Sequence, residues 1–599
     1  MPPEAAPAIT TRRARPDVVE QLVSEGVQPL LARIFAARGV NSSRCLASDL
    51  EQLAAPDSML NLRAMAGLLA NAIASHRKLL IVADYDADGA TACAVGMRAL
   101  RAFGAAVGYL VPNRFEYGYG LSHEIVRLAH AQSRPDILIT VDNGISSFEG
   151  VAEANRLGME VLITDHHLPA ERLPEAACII NPNQPGCTFP SKHLAGVGVM
   201  FYLMLALRAE LRERGTFNPP NPPLAKGGDT NPPYPPLAKG GGADAPGGFE
   251  PNLAELLPLV ALGTVADVVA LDHNNRILVH QGLARIRDGR TQPGIAALFQ
   301  VAGRDVRRAG TRDLGFVVAP RLNAAGRLTD MALGIECLIT DDRGRALRIA
   351  GELDRLNRER RAIESGMQDE ALAAVEAQDF GESYTLSLFD PAWHPGVIGI
   401  VAGRMKDRFH RPTIAFARAA DGEIRGSGRS IPALHLRDAL DRVAVRHPRL
   451  ISKFGGHAAA AGLTLREADF GRFRDAFEET ARELLSPADL ERVIETDGSL
   501  ADHEVSLETA HLVEAGVWGQ GFPRPSFHDR FEVVAQRVVG SRHLKLRLAR
   551  SGRQFDAMLF GASEPLPPRI EAVHHLDVNE YQGLASVQLT LQHWQPASG

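Results

Sequence analysis

Hydrophobic positions repeat in two registers along this chain. From Lys78 onward, short apolar runs rich in β formers alternate with stretches of helical period: Lys78-Leu-Leu-Ile-Val-Ala83, Ile137-Leu-Ile-Thr-Val141 and Val161-Leu-Ile-Thr164. Buried strands separated by helices predict parallel βαβ units, so residues 78–205 read as the core of a doubly wound α/β domain. Upstream, residues 1–75 predict short amphipathic helices, Ala47 to Ala70 among them. Helical periodicity returns at Leu253–Val265, and Asp341–Gln378 mixes Arg and Glu as a long, solvated connector helix would. Residues 384–480 form a second α/β pattern with three glycine-rich stretches. From about Phe531 the alternation becomes strict: in His543-Leu-Lys-Leu-Arg-Leu548, Leu takes one face and His, Lys and Arg the other. About five such strands predict a small barrel of the OB type.

Residues 216–249 break both registers. Asn221-Pro-Pro-Leu-Ala-Lys-Gly-Gly228 is nearly repeated as Tyr234-Pro-Pro-Leu-Ala-Lys-Gly-Gly241. Pro and Gly at this density cannot bury a core, which predicts a disordered insert, and two such short copies cannot stack as a solenoid. The resulting partition is a helical extension (1–75), a first α/β domain (76–340) holding the insert, a connector helix (341–378), a second α/β domain (379–482) and a barrel (483–599).

The chemistry gathers at the strand ends. The first strand runs into Asp84-Tyr-Asp86-Ala-Asp88-Gly89, the second into Asp142-Asn-Gly144, the third into Asp165-His166-His167. Open parallel sheets bind ligands at the carboxyl ends of their strands. Carboxylates crowded there repel one another unless cations neutralise them. Asp and His without thiolates suit Mn²⁺ or Mg²⁺, and two ions roughly 3.5–4 Å apart can activate a water and steady the leaving oxygen of a phosphoester. A fourth carboxylate, Asp267, closes the apolar helix Leu262-Gly-Thr-Val-Ala-Asp267 and is placed to bridge such ions. Singly, each feature has a plainer reading. Asp142-Asn-Gly is also a turn signal, and a His-His pair is also an ordinary surface or core pair. Asp-x-Asp-x-Asp-Gly opens like a calcium loop, but Val95 stands where the bidentate Glu belongs. The weight lies in three neighbouring strands ending this way. No GxxxxGK[ST] phosphate loop occurs.

Composition narrows the classes. Lys and Arg total 65 against 71 Asp and Glu, a formal charge of -6, so any polyanion site must be a local arrangement of cations. Hydrophobic residues at 45% and charged residues at 23% are ordinary for a soluble globular chain. Five scattered cysteines without a CxxC pair speak against a disulfide framework or a thiolate zinc site, and for a reducing compartment. With no signal peptide and no run of eighteen apolar residues, the expectation is a cytoplasmic protein away from any membrane.

Asp86-Ala-Asp88, Asp142, Asp165-His166-His167 and Asp267, in this order, resemble the DHH phosphoesterase family. The longer stretches ADYDADGATA, VPNRFEYGYGLS, LITVDNGISS and ITDHHLP are similar to its branch of single-strand-specific exonucleases. The likeness continues through GTVADVVAL, APRLNAAGRL, WHPGVIGIVAGR, GSGRS and KFGGHAAAAGLTL, over roughly residues 75 to 595. It implies a DHH-type doubly wound parallel-sheet domain and a DHH-associated α/β domain joined by a long helix, with a C-terminal OB-like β-barrel. It implies two divalent ions, Mn²⁺ or Mg²⁺, held by Asp86, Asp88, Asp142, His166 and Asp267, with Asp142 and Asp267 bridging or shared. His167 would face the scissile phosphate, and Asp84 and Asp165 would orient ligands. Ser427, Arg429, Gly456 and His457 would hold the nucleic-acid end, with Arg114, Arg321 and Arg327 as further phosphate contacts. The implied activity is 5′-to-3′ hydrolysis of single-stranded DNA to 5′-mononucleotides in recombination and repair. A narrow Arg-lined channel between the α/β domains would exclude duplex, the barrel would grip the strand, and single-strand-binding protein and a helicase would be partners. Two departures stand out: the insert ahead of Asp267, and a loose match at Trp518-Gly-Gln-Gly-Phe-Pro-Arg-Pro525. Two rivals remain. One is a small-substrate relative acting on short oligonucleotides or cyclic dinucleotides. The other is an inactive DNA-binding scaffold, against which the intact ligand positions argue.

Overall fold

The chain starts in one folded unit, with strand β1 (Ala8–Thr11), and passes at Ala47 into a second. The structure is a computed structural model and describes residues 7–112, 120–217, 250–377, 383–419, 422–540, 542–581 and 583–597. The second unit comprises Ala47–Arg355 and Val517–Pro523; the first collects Met1–Leu46, Leu356–Gly516 and Arg524–Gly599.

In the second unit, β2 (Lys78–Ala83), β3 (Ala106–Leu110), β4 (Ile137–Val141), β5 (Glu160–Thr164) and β6 (Cys178–Ile180) pair in parallel, in the order β3-β2-β4-β5-β6. β4 is buried along its whole length and β2 from its second residue, the continuous burial of a sheet covered on both faces. Leu80, Val82, Leu138 and Ile163 pack with Ile125, Val126 and Val151 on one face. On the other, Ile81 and Met200 crowd Gly96, so that α1 (Ala87–Ala102) and α2 (Gly196–Glu213) lie close. The chain leaves β2 for β3 on one side and later returns to β4 on the other, so the crevice of this sheet opens above β2 and β4. Pairing continues one residue past the strand ends. Asp84 N–H donates to the Val141 carbonyl (3.3 Å), Asp142 N–H to Thr164 (3.1 Å) and Asp165 N–H to Ile180 (3.1 Å). The three acidic residues therefore stand in one row.

Two helical segments face this row. α3 (Leu257–Ala266) is buried from Leu257 to Thr264, as an almost wholly apolar helix must be, and Asp267 caps its C-terminus. A π-turn, Leu314–Val318, runs into α4 (Ala319–Leu328). The helix expected from Ala47 starts only at Leu62 and runs to Ala74. Before it come short 3₁₀ turns, where Pro56 fixes φ and Asn61 sits at φ 66°. The connector helix α5 (Arg343–Ala377) buries Ala346, Ala350, Leu353, Leu356, Met367, Ala371 and Val375. It is thus less solvated than its Arg and Glu content predicts, because its apolar stripe is made mostly of small or isolated residues.

In the first unit, β7 (Leu386–Phe389), β8 (Thr413–Arg418), β9 (Glu423–Arg429), β10 (Lys453–Gly456) and β11 (Ala460–Arg466) form a mixed sheet in the order β10-β11-β9-β8-β7. Helix α6 (Ile398–Phe409) connects β7 to β8. β1 pairs in parallel with β12 (Val493–Thr496), and Arg38 meets Asp497 at 2.6 Å, tying the first residues of the chain to its last third. β13 (Phe527–Val539), β14 (His543–Arg550), β15 (Arg553–Phe560), β16 (Arg569–Tyr581) and β17 (Leu584–Pro596) close into a five-stranded barrel, as the alternation predicts. Its first strand begins four residues ahead of Phe531. Among the described residues no helix is long and apolar enough to cross a membrane.

Candidate functional site

The row of strand ends, closed by the cap of α3, forms one acidic cluster. His166 Nε2 lies 3.0 Å from Asp142 Oδ1, 3.4 Å from Asp267 Oδ2 and 4.0 Å from Asp88 Oδ2. The ligand atoms of Asp88, His166 and Asp267 lie within 4.8 Å of one another, as do those of Asp84, Asp86 and Asp142, and those of Asp142, His166 and His167. Asp142 is common to two of these groups. Each side chain is aimed by local structure. Asp86 caps α1, its Oδ1 accepting the N–H groups of Asp88 (2.9 Å) and Gly89 (3.0 Å). Asp88 accepts the N–H groups of Gly196 (2.6 Å) and Val197 (2.9 Å), so the start of α2 grips it. Asp142 adopts φ 62°, a left-handed conformation that costs energy outside Gly, Asn and Asp. A Cβ on Gly196 would come 2.7 Å from the Asp142 Cβ, so only glycine lets α2 approach so closely.

Asp165 faces inward. Its Oδ1 accepts from His166 N–H (2.7 Å) and His167 N–H (3.1 Å) and meets His167 Nδ1 at 2.7 Å, while Oδ2 accepts from Ile145 N–H (2.9 Å). Asp84 likewise accepts the Tyr85 N–H (2.7 Å).

The electrostatics are one-sided. Burial, then the nearby carboxylates, hold Asp142 and Asp267 well above the usual carboxylate range and push Asp88 up to about 7. Burial also works on Asp165 and His167, but the bond between them wins: Asp165 stays below its ordinary value and His167 rises to about 9. Asp267 Oδ2 is buried and accepts no hydrogen bond among the described residues. Carboxylate oxygens, the imidazoles of His166 and His167 and no thiolate, in a cluster whose buried carboxylates disfavour their own charge, make a donor set for hard divalent cations.

The glycine-rich segments of the first unit meet at one end of its sheet. Ser427 and Arg429 are on β9, and across the register Gly428 faces Ala461, which faces Gly456; His457 follows, exposed. Gly399, in the first turn of α6, lies against Ser427 Oγ and the Arg429 guanidinium. Arg429 donates to Ser427 Oγ (3.3 Å) and to the Gly428 carbonyl (2.8 Å). A hydroxyl, a guanidinium and the N-terminus of a helix thus converge, a combination suited to phosphate. Arg327 sits half-buried at the end of α4. Arg321 is buried, with Nε 3.0 Å from Asp354 and a nitrogen 2.6 Å from the Val317 carbonyl, contacts that hold it against its own helix. Arg114 lies outside the described residues.

Several functional groups escape a reading of strand ends alone. Asn181 and Asn183 donate to the His167 (2.8 Å) and His166 (2.6 Å) carbonyls and fix the His pair. They follow β6, so the strand-end rule, applied to a fourth strand, would have found them. Asn323 of α4 accepts the Ala87 N–H at 2.8 Å, and Gly326 lies against the Tyr85 carbonyl. Nothing local signals that contact.

Comparison with known proteins agrees with this geometry. Family models match three stretches: the DHH family, N-terminal domain, over residues 78–225; the DHHA1 domain over 381–483; and the RecJ OB domain over 496–593. The single-stranded-DNA-specific exonuclease RecJ of Dickeya dadantii is 48% identical over 606 residues, covering 98% of this chain and 99% of its own. The protein of that name from Escherichia coli K12 is 45% identical, with the same shares covered. Among solved structures, RecJ from Thermus thermophilus in complex with Mn²⁺ matches with a TM-score of 0.79 at 28% identity, covering 99% of this chain and 80% of that one.

Proposed function

The chain belongs to the RecJ family of single-stranded-DNA-specific exonucleases, and from that membership we propose how its residues divide the work. It is a nuclease of single-stranded DNA that uses Mn²⁺ or Mg²⁺. Asp86, Asp88, Asp142, His166 and Asp267 would hold two ions, with Asp142 and Asp267 the shared carboxylates. The observation that carries this is the approach of His166 Nε2 to three carboxylates on separate segments, at 3.0–4.0 Å. Bound ions would supply an activated water and charge neutralisation at the leaving oxygen. The protein's own groups supply the rest. Asp165 fixes His167 through Nδ1, which turns the opposite edge of the imidazole toward the scissile phosphate. Asp84 holds the Asp86–Asp88 turn by its bond to Tyr85. Ser427, Arg429, Gly456 and His457 take the 5′-terminal phosphate, and Arg114, Arg321 and Arg327 serve as contacts to other phosphates of the strand.

Recognition of that end gives 5′-to-3′ polarity and 5′-mononucleotides as products. The work divides between a DHH domain over 76–340 and a DHH-associated domain over 379–482, joined by 341–378, with 483–599 gripping the strand. Such an enzyme serves recombination and repair in the cytoplasm, acting where a helicase exposes strands and single-strand-binding protein coats them. Digestion of 5′- and 3′-labelled single strands with Mn²⁺, Mg²⁺ or chelator tests the reading. Early release of the 5′ label with either metal is expected, and release first from the 3′ label overturns the polarity.

A further inference from the structure

The helix that braces the acidic loop also carries a large apolar side chain in solvent. Asn323 and Gly326 turn one face of α4 onto the Tyr85–Asp88 loop. Steps of four and three residues back from Arg327 along that face give Asn323, Pro320 and Phe316. Arg327, Asn323 and Pro320 are half-buried, whereas Leu322, Ala324 and Ala325 are buried. Phe316 ends the row inside the π-turn and is 74% exposed. Its neighbour Gly315 packs on Val265, two residues ahead of Asp267. The segment that carries Phe316 is thus held between the loop that delivers Asp86 and Asp88 and the helix that delivers Asp267. Seven residues of helix put Phe316 about 10 Å from Asn323. Val268, directly after Asp267, is 62% exposed as well. The residues leading to the π-turn, Arg304 to Asp313, hold four Arg against two Asp, a positive approach for a polyanion.

A rigid aromatic ring 74% exposed on a π-turn offers a flat contact face, and π-turns recur at functional sites. Every nucleobase offers a flat π face, and stacking on an aromatic ring tolerates any sequence. We propose that Phe316 is a base-stacking platform for the single strand whose phosphodiester lies at the acidic cluster, a proposal that rests on the metal-centre reading of that cluster. Interior bases of a duplex already have both faces covered, so this ring rewards only an unpaired strand.

Phe316→Ala, Phe316→Leu and Phe316→Tyr test this on the full-length protein. Phe316→Ala should raise KM for a single-stranded oligonucleotide about tenfold with kcat little changed, and Tyr should restore it. On strands abasic over their first nucleotides, wild type and Phe316→Ala should converge. Binding of a strand carrying 2-aminopurine near its 5′ end to metal-free protein should quench its fluorescence in wild type but not in the Ala variant. Mn²⁺ occupancy, followed by electron paramagnetic resonance, should be equal in both. An unchanged KM, Leu serving as well as Tyr, a defect that persists on abasic strands, or lost Mn²⁺ binding would each overturn the platform. Failure of wild type itself to bind Mn²⁺ would sink the metal-centre reading instead, and the metal-free quenching would still decide the stacking.

Discussion

An Asp–His pair stands in each unit of this protein. At the crevice, Asp165 meets His167 Nδ1 at 2.7 Å; in the barrel, Asp529 of β13 meets His574 Nε2 of β16 at 2.9 Å. As pairs they are nearly interchangeable. Their surroundings are not. Asp529 also receives the Ser499 hydroxyl and an ion pair from Arg550 at 2.5 Å, and these partners hold its carboxyl low despite burial. The pair is closed off: the His574 side chain is 1% exposed, and Phe527 and Phe531 stack about it. His167 is 29% exposed and lies among the further carboxylates Asp84, Asp86 and Asp142. Balanced charge holds a fold together, whereas unbalanced charge waits for a ligand. The comparison separates two roles that the same two residue types cannot separate by themselves.

The sharpest way to break it is to change one carboxylate on each side. Asp142→Asn keeps a residue that tolerates φ 62° and removes a carboxylate proposed to be shared by the two ions. Activity should fall to below about a thousandth of wild type, since ions and water are no longer held together. The metal-free variant should melt no lower than wild type, because a buried repulsion is relieved. Asp529→Ala should do the reverse. It strands His574, leaves Arg550 with Asp502 alone, and should cost the barrel about 3–5 kcal/mol, read by hydrogen exchange in β13 and β16, with Mn²⁺ occupancy intact. A stable Asp529→Ala protein that loses Mn²⁺ would break the comparison.

Arg429 extends the same logic to a cation. Its donors go to a hydroxyl and a carbonyl, and no carboxylate pairs with it among the described residues; burial lowers its pKa. Arg38, by contrast, is paired with Asp497 by two bonds, at 2.6 and 2.9 Å. Charge-assisted bonds to a phosphate contribute about 1.5–3 kcal/mol. Arg429→Ala should therefore lower kcat/KM on 5′-phosphorylated strands by one to two orders of magnitude and narrow the gap to 5′-hydroxyl strands. Arg38→Ala should lower stability and leave that ratio alone. Equal losses on both strands in Arg429→Ala would make it a general backbone contact.

How much of this could be read from the chain depends on how locally each feature is encoded. β2 and β4 are unbroken apolar runs followed at once by Asp84 and Asp142, so strand, register and chemistry share one window. Asp267 was legible because α3 is apolar to its last turn. The grip of Gly196 on Asp88 spans 108 residues and the bond between Ala87 and Asn323 spans 236, and neither leaves a local trace. The pairing of Arg321 with Asp354 spans 33 residues and leaves no local trace either. The barrel was legible from alternation in β14, but its Asp529–His574 pair was not, because a buried polar pair inside a strand reads as an outward-facing residue.

The smallest expected effect is a pair of pH slopes of opposite sign, read on metal-free protein by hydrogen exchange. In the crevice, Asp88 is raised to about 7, and Asp142 and Asp267 are raised well above the usual range. Raised carboxyls hold more protons folded than unfolded. Their contribution is therefore complete below the unfolded value of about 4 and is lost as pH climbs through the folded values. Amides of β2 and β4 should exchange from a less stable state as pH rises toward and beyond about 7, after correction for intrinsic rates. In the barrel the sign reverses. Asp529 is depressed, so its contribution is complete above about 4 and is lost as pH falls through its lowered folded value. Amides of β13 and β16 should weaken only at the acid end. Saturating Mn²⁺ should flatten the crevice slope, because bound cations favour the ionised carboxylates, and should leave the barrel slope where it was. Slopes of the same sign in both regions, or a barrel slope that moves with Mn²⁺, would mean that the two pairs differ in place but not in charge balance.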